Sequence, residues 1–189
     1  SADLEARALS HPLSTNPLFL RTLAEELRLF GSHEELARRL DYYLTSKTVD
    51  DLFERVLERV ESDCGEQAVR STLTAIWASR SGLTEKEIMG IADLKPLEWA
   101  PIRLALDEML LDINGRLSFA HDYMKIAISD RYLYGNNTLQ DEGQSEDAIN
   151  ARRTLHVTLA QWFEKQFPAA TIENEQSKIS DKNTENKSL

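Results

Sequence analysis

The residues able to do chemistry are few and scattered. Four histidines (His11, His33, His121, His156) and one cysteine (Cys64) are the candidates for metal ligation or nucleophilic attack. No two of them stand at ligand spacing, and Cys64 has no partner in a CxxC pair. The carboxylate pairs Glu25-Glu26, Glu34-Glu35 and Asp50-Asp51 read as helix-start or solvated-face charges, since a helix N-terminus favours negative charge. No GxxxxGK[ST] phosphate loop, GxGxxG, HExxH or GxSxG string occurs. The expectation is a chain with no catalytic residue and no metal site, not an enzyme on its own. Two positions stand out at element boundaries: Pro17 in Asn16-Pro17-Leu18, and His121 in Phe119-Ala120-His121-Asp122. His11, His33 and His156 carry no functional reading. Trp77, Trp99 and Trp162 fall at helical core spacing and are expected to fill the interior.

The elements that would position these residues are mostly helices. Asn16 is a helix N-cap, Pro17 suits the first helical position, and Leu20, Leu23, Ala24 and Leu27 share a face up to a Gly31 stop. Ser32 with Glu35 makes a capping box for a helix with the stripe Leu36, Leu40, Tyr43 and Leu44. Thr48 opens the cleanest stripe, Val49, Leu52, Phe53, Val56, Leu57 and Val60, before Gly65. A helix with Val69, Leu73, Ile76 and Trp77 then closes at Ser81-Gly82, and a Thr84/Glu87 capping box starts a short helix to about Ile91. The next helix carries Trp99, Ile102, Leu106 and Met109, with Pro101 placed in its first turn because an interior proline costs ~3 kcal/mol. Leu111 and Ile113, then Leu117 and Phe119, alternate around Asn114-Gly115 as a hairpin.

Helix, short helix, helix and hairpin in that order make a winged helix-turn-helix. The fold class is mainly α: a small helical bundle followed by a winged helix-turn-helix with one β-hairpin. The expected units are a helical domain (1–64), a winged-helix domain (65–134), a C-terminal loop and helix (135–167) and a disordered tail (168–189). Asp122 is expected to N-cap a helix with Tyr123, Met124, Ala127 and Ile128. A last helix over roughly 145–166 is expected to bury Leu155, Leu159, Trp162 and Phe163.

Composition narrows the partners. The 189 residues hold 22 Lys plus Arg against 32 Asp plus Glu, a formal net charge of −10. That balance opposes nucleic-acid and anionic-membrane surfaces, where basic residues supply the affinity. The presumptive reading helix, Glu98 to Glu108, offers Arg103 against Glu98, Asp107 and Glu108, and the wing offers Arg116 against Asp112. A single cysteine and the lack of any apolar run of bilayer length fit a reducing, cytoplasmic setting. The start at Ser1 suggests a piece of a longer protein.

Three strings, HPLSTNPLFLRTLAEELRLFG (His11 to Gly31), GLTEKEI (Gly82 to Ile88) and GRLSFAHDYMKIAISDRYL (Gly115 to Leu133), carry a family resemblance. Over roughly residues 4–165 the chain resembles the region just after the nucleotide-binding core of STAND-class P-loop NTPases of the NACHT type. The resemblance implies a regulatory helical and winged-helix segment that couples ADP/ATP state to domain opening and assembly. The cofactor would bind only in the full-length protein, and the isolated chain would bind none. The implied partners are an N-terminal nucleotide-binding domain of the same protein, self-association and downstream repeats. Asn16-Pro17-Leu18 stands in the place of the family's GxP motif, whose proline packs near the adenine, though Thr15 stands where glycine is common. Ala120-His121-Asp122 resembles the MHD motif, whose histidine reaches the β-phosphate of ADP in the closed state; an imidazole donating to a phosphate oxygen suits that role. An ordinary helix-N1 proline and a junction histidine beside Phe119 are the plainer readings of the same residues. Two other functions stand beside this one: an acidic winged-helix adaptor that binds proteins without nucleotide, and a DNA-binding winged helix.

Overall fold

The computed structural model describes residues 2–29, 33–134 and 146–166. Nine α-helices and one two-stranded antiparallel sheet are found among them, so the fold is mainly α as the patterning predicts. The Gly31 stop, the Ser32 end of the capping box, the polar loop at 135–144 and the tail beyond 168 lie outside the described residues. So does the His33 side chain.

The first unit is built from α1 (Ala2–Ser10), a 3₁₀ turn (Pro12–Thr15), α2 (Pro17–Arg28), α3 (His33–Tyr43) and α4 (Val49–Cys64). Asn16 caps α2 through its side-chain oxygen, which accepts from the N–H of Leu18 (2.9 Å) and Phe19 (3.3 Å). The buried face of α2 is Phe19, Thr22, Leu23 and Glu26. This corrects the expected face: Leu20 and Leu27 are half-buried and Ala24 is exposed, because Phe19 outbids the leucines for the core side. In α4 the expected stripe holds in full, and Thr48 and Asp51 close a reciprocal cap at its start.

The second unit runs α5 (Glu66–Ala78), α6 (Glu85–Ala92), α7 (Pro96–Ala105), a 3₁₀ turn (Asp107–Met109), β1 (Leu110–Ile113), β2 (Arg116–Phe119) and α8 (Asp122–Ile128). A π turn (Ser129–Tyr134) continues α8. Thr84 and Glu87 form the predicted capping box. Pro101 is not in the first turn: α7 begins at Pro96, so the proline sits inside the helix. Pro101 and Leu97, whose carbonyl loses its helical partner, are both exposed, so water can take up that carbonyl and the interior proline is tolerated.

The hairpin turns at Asn114 (φ 55°) and Gly115 (φ 78°), both left-handed as a two-residue turn of this kind requires. Its register pairs Leu110 with Phe119 and Asp112 with Leu117. Residues directly opposite share a face, so Leu110, Leu117 and Phe119 point inward. Leu111 and Ile113, expected to alternate into the core, are exposed instead. The place opposite Leu117 is taken by Asp112, itself exposed, whose carboxylate accepts the Gly115 N–H at 2.7 Å and fixes the turn. Leu83 adds a one-residue third strand, exchanging hydrogen bonds of 3.0 and 2.7 Å with Leu117. Gly82 makes that approach possible: its φ is +73°, and a Cβ there would stand 2.6 Å from the Leu117 carbonyl oxygen.

A continuous core spans both units, since α4 packs on α5 and on α8, and Phe53 stacks over Tyr123 at 6.3 Å. Glu61 of α4 ties down the π turn, accepting hydrogen bonds from Arg131 and from the Tyr132 hydroxyl. Burial raises the Glu61 carboxyl, but those donors outweigh it and hold it below its ordinary value of 4.5. The last helix, α9 (Glu146–Gln166), lies over α5 and α6. Its Trp162 ring rests on Gly90, where a Cβ would meet it at 2.6 Å. Leu155, Leu159, Trp162 and Phe163 are half-buried rather than buried, and Ala148 is the fully buried residue of this helix. Of the three tryptophans, Trp99 is in the core, whereas Trp77 and Trp162 are half-buried.

Two stability tests follow from this packing. Gly82→Ala combines a left-handed backbone with a backbone clash and should cost more than ~2 kcal/mol, whereas Gly115→Ala, with open space around it, should cost about 1; urea unfolding of both variants ranks them. The depressed Glu61 carboxyl contributes stability that is complete above its ordinary titration range and is lost as pH falls through its folded value. Glu61→Gln should therefore be less stable than the parent at pH 7, with the gap closing below about pH 4; a gap that widens on acidification would contradict this.

Candidate functional site

A cleft opens where the two units meet. Its walls are Leu18, Arg21, Thr22, Glu25, Glu26 and Leu29 on the α2 side, and Leu104, Ala105, Asp107, Glu108 and Met109 at the end of α7. Phe53 of α4 contributes to the floor, and His121 completes the lining. Each element places its residue for a local reason. The Asn16 cap starts α2 so that Leu18 falls on the cleft side. The Leu110–Phe119 pair and the bond from the Ala120 N–H to the Met109 carbonyl (3.0 Å) deliver the chain to His121.

His121 occupies the N-cap position of α8 in extended backbone (φ −142°, ψ 145°), and its side chain accepts no backbone N–H. The imidazole is exposed, and no described residue hydrogen-bonds or ion-pairs with it. Asp122, expected to be the N-cap, is instead the first helical residue, exposed and paired with Lys125 at 3.4 Å. Its charge still faces the helix N-terminus favourably. Of the two predicted site residues, His121 lines the cleft. Pro17 does not; it is the exposed first residue of α2, and its neighbour Leu18 is the one that reaches the cleft.

Every carboxylate lining the cleft has an arginine against it: Glu25–Arg28, Glu26–Arg59, Asp107–Arg103 and Glu108–Arg21, each at 2.6 Å. Three of these pairs have a well-exposed partner and contribute little. The fourth differs in kind. Glu26 and Arg59 are 3% and 5% exposed at their side chains. Arg59 donates through Nε to Glu26 Oε2 (2.6 Å) and through Nη2 to Oε1 (2.9 Å), a two-point grip. Tyr43 donates its hydroxyl to Oε2 at 2.7 Å, and Arg59 also reaches Asp63 at 3.1 Å. Burial lowers the Arg59 value, but hydrogen bonds and charge from Glu26 more than reverse it, so the guanidinium is held above its ordinary range. Burial and the adjacent Glu26 charge push the Tyr43 hydroxyl well above its usual value, keeping it a donor. The reading of Glu25-Glu26 as solvated charges is thus wrong for Glu26. Its signal was in the sequence: Glu26 follows Phe19 by seven and Leu23 by three, and Arg59 follows Leu52 by seven and Val56 by three. Both therefore sit on apolar faces.

Other chemistry is thin. Among the described residues no group of three His, Cys, Asp or Glu side chains could hold a metal ion. Cys64 is half-buried, and burial with the nearby Asp63 charge raises its thiol, which reduces its thiolate and its reactivity. His11 is structural: its Nδ1 accepts the Leu13 N–H at 3.2 Å and its ring stacks on Phe19 at 5.1 Å. His156 is exposed beside Trp77, at 6.1 Å between ring centres. No described helix is long and apolar enough to cross a membrane.

No family model and no solved structure matches the chain. Among curated proteins, it is 31% identical over 127 residues to a TPR repeat-containing protein of Dictyostelium discoideum, covering 64% of this chain and 8% of that protein. It is 32% identical over 78 residues to telomerase protein component 1 of Mus musculus, covering 41% of this chain and 3% of that protein. The chain thus spans less than a tenth of the length of either relative.

The buried pair sets a clear energetic expectation. Glu26→Ala leaves the Arg59 charge buried without its main partner and should cost ~3–5 kcal/mol. Replacing both residues together (Glu26→Leu with Arg59→Met) should recover most of that loss. Arg21→Ala at the exposed Glu108 pair should cost less than ~1 kcal/mol. Chemical denaturation of the four proteins checks the order, and a Glu26→Ala penalty no larger than that of Arg21→Ala would show that the buried pair does not hold the bundle.

Proposed function

We propose that this chain is the helical and winged-helix regulatory segment of a STAND ATPase of the NACHT type, without catalysis of its own. In this reading His121 faces nucleotide held by a preceding domain of the same cytoplasmic protein. The observation that carries it is convergence. Two strings about a hundred residues apart, one around Asn16-Pro17-Leu18 and one around His121, meet at one cleft between the two units. Neither string alone exceeds an ordinary helix start.

The donor chemistry fits an ADP phosphate at one point and no more. His121 offers an exposed imidazole with no partner among the described residues, and the carboxylates around it are each matched by an arginine, so phosphate would not meet four uncompensated charges. A bound diphosphate supplies an acceptor for this imidazole and a link to the rest of the protein. His121 would donate the hydrogen bond, the Asn16 cap would hold Leu18 and α2 against the cleft, and Glu26–Arg59 would keep α2 in register with α4. Loss of the His121 bond would free the winged unit. Such links between ligand state and domain arrangement amount to ~1–3 kcal/mol.

A second reading, a protein-interaction module that uses no nucleotide, is favoured by the TPR repeat-containing relative, TPR repeats being helix–turn–helix units. The two readings separate on one measurement. In the full-length protein His121→Ala should speed ADP release by a factor of ~5–150, the range of such couplings. Release at the parental rate would remove the nucleotide role and leave the interaction module. The 189-residue chain alone should neither bind nor hydrolyse ATP measurably.

A further inference from the structure

The hydroxyl of Ser129 breaks a pattern that its neighbours keep. Serine and threonine hydroxyls in helices and at their ends commonly bond back to a carbonyl one turn earlier. Thr74 does so to Arg70 (2.7 Å) and Ser79 to Ile76 (2.9 Å). Ser129 is 9% exposed, yet its hydroxyl has no hydrogen-bond partner among the described residues. A polar group so deeply placed is normally satisfied. Ser129 also opens the π turn, and π turns recur at functional sites. It borders an open cavity of about 580 Å³ between the end of α5 and α8. Small-molecule sites span ~300–1,000 Å³. Trp77 and Arg80 stand on one side of the cavity, Lys125, Ile126 and Ser129 on the other, and none of them lines the cleft at His121.

Charge and shape select the ligand. Arg80 is exposed and has no partner among the described residues. Lys125 has Asp122, itself 89% exposed, at 3.4 Å, a contact that solvent screens. Asp130, the carboxylate of the cavity, pairs with neither cation. The charge that acts on it is Asp50, and it acts in turn on Glu54, both on α4. Two cations and a free hydroxyl donor favour an anion with several acceptor oxygens, as a phosphate monoester has. The remaining wall is apolar, made by the Trp77 ring and Ile126, and an indole face is a surface on which an aromatic ring stacks. From α9, Arg152 and His156 stand against that indole at 5.7 and 6.1 Å and steady it. We propose that this cavity binds an aryl phosphate, a phosphate monoester carried on an aromatic ring. Arg80, Lys125 and the Ser129 hydroxyl donate to the phosphate oxygens, and the ring lies against Trp77 and Ile126. A free aryl phosphate and a phosphorylated tyrosine side chain share this chemistry, whereas phosphoserine is too short to cover the indole.

The site is separate from the nucleotide reading, and its test uses the 189-residue chain. Phenyl phosphate is titrated in while the indole N–H resonances are followed by NMR. The Trp77 signal should move and saturate, and that of Trp99, whose N–H is held by Glu85 at 3.1 Å, should stay. Arg80→Ala/Lys125→Ala and Ser129→Ala should each weaken binding by ~10-fold or more, as expected for lost hydrogen bonds to a charged group. These changes remove two exposed side chains or an unpartnered hydroxyl, so circular dichroism and the urea midpoint should not change. Arg21→Ala, which removes a cation from the other cleft, should bind as the parent does. Benzoate and inorganic phosphate each lack half of the ligand and should bind more weakly than phenyl phosphate. A phosphotyrosine peptide that binds more tightly than phenyl phosphate assigns the site to a phosphorylated protein; one that binds no more tightly assigns it to the free molecule. The proposal is overturned if phenyl phosphate leaves Trp77 unmoved, if the substituted chains bind as the parent does, or if Arg21→Ala weakens binding as much as the paired change. Benzoate, AMP or a phosphoserine peptide binding as tightly as phenyl phosphate would also overturn it.

Discussion

Glu26 and Arg59 are buried together, and the placement of the first unit turns on that fact. A carboxylate or guanidinium taken out of water alone is too costly to keep in a small core, so each is tolerable only while the other holds its geometry. Arg59 is fixed by α4, Glu26 by α2, and the Tyr43 hydroxyl of α3 fills a further acceptor position on Glu26. Three helices are therefore locked in rotation as well as position. Apolar packing alone would tolerate a slide of one side chain past another, whereas a two-point ionic grip does not. Because α4 also contacts α5 and α8, and Glu61 anchors Arg131 and Tyr132, the same helix carries that registration into the winged unit. The cleft lined by Leu18 and His121 is a consequence: its two walls belong to elements that α4 holds at a set spacing.

Much of this architecture was legible wherever one local rule acts alone. The stripe of α4, the Thr48 and Thr84 caps and the Asn114-Gly115 turn all stand as read, because periodicity, side-chain capping and left-handed φ are each properties of a few adjacent residues. Reading failed where two rules compete. On α2 the leucines suggested one face, but Phe19 is larger and draws the core side to itself and to Leu23. In β1 the alternation of Leu111 and Ile113 is genuine. The register set by Leu110 opposite Phe119 nevertheless turns that alternation outward, since a one-residue offset exchanges the faces of a strand. Pro101 was placed by its cost in a helix interior, a rule that weakens when the freed carbonyl belongs to an exposed residue such as Leu97.

The site divides in the same way. His121 and the neighbourhood of Pro17 could be singled out because residue strings mark them, and the fold brings His121 and Leu18 to one cleft. Glu26 was passed over because a Glu-Glu pair on a helix reads as charge on a solvated face. Its burial depends on Arg59, thirty-three residues away, and no local rule sees that pairing. The spacing from Phe19 and Leu23 does mark it, since residues three and seven positions on share their helix face. Buried ion pairs are in general invisible one partner at a time.

The winged unit shows how far a fold and its usual task can separate. The geometry that gives a reading helix and a wing is complete here, down to the Leu83–Leu117 bridge admitted by Gly82. What decides use is the outward chemistry of those elements. On a nucleic-acid reader the exposed side of the third helix would carry cations for phosphate and amides for bases. Here it carries Leu97, Ala100, Pro101 and Leu104, and the wing turns Leu111 and Ile113 to water. Apolar surface gains from covering by other apolar surface and gains nothing from a phosphate backbone. A helix, short helix, helix and hairpin can thus keep a common core while the solvent face of the third helix carries leucines in place of the cations and amides that phosphate and bases require.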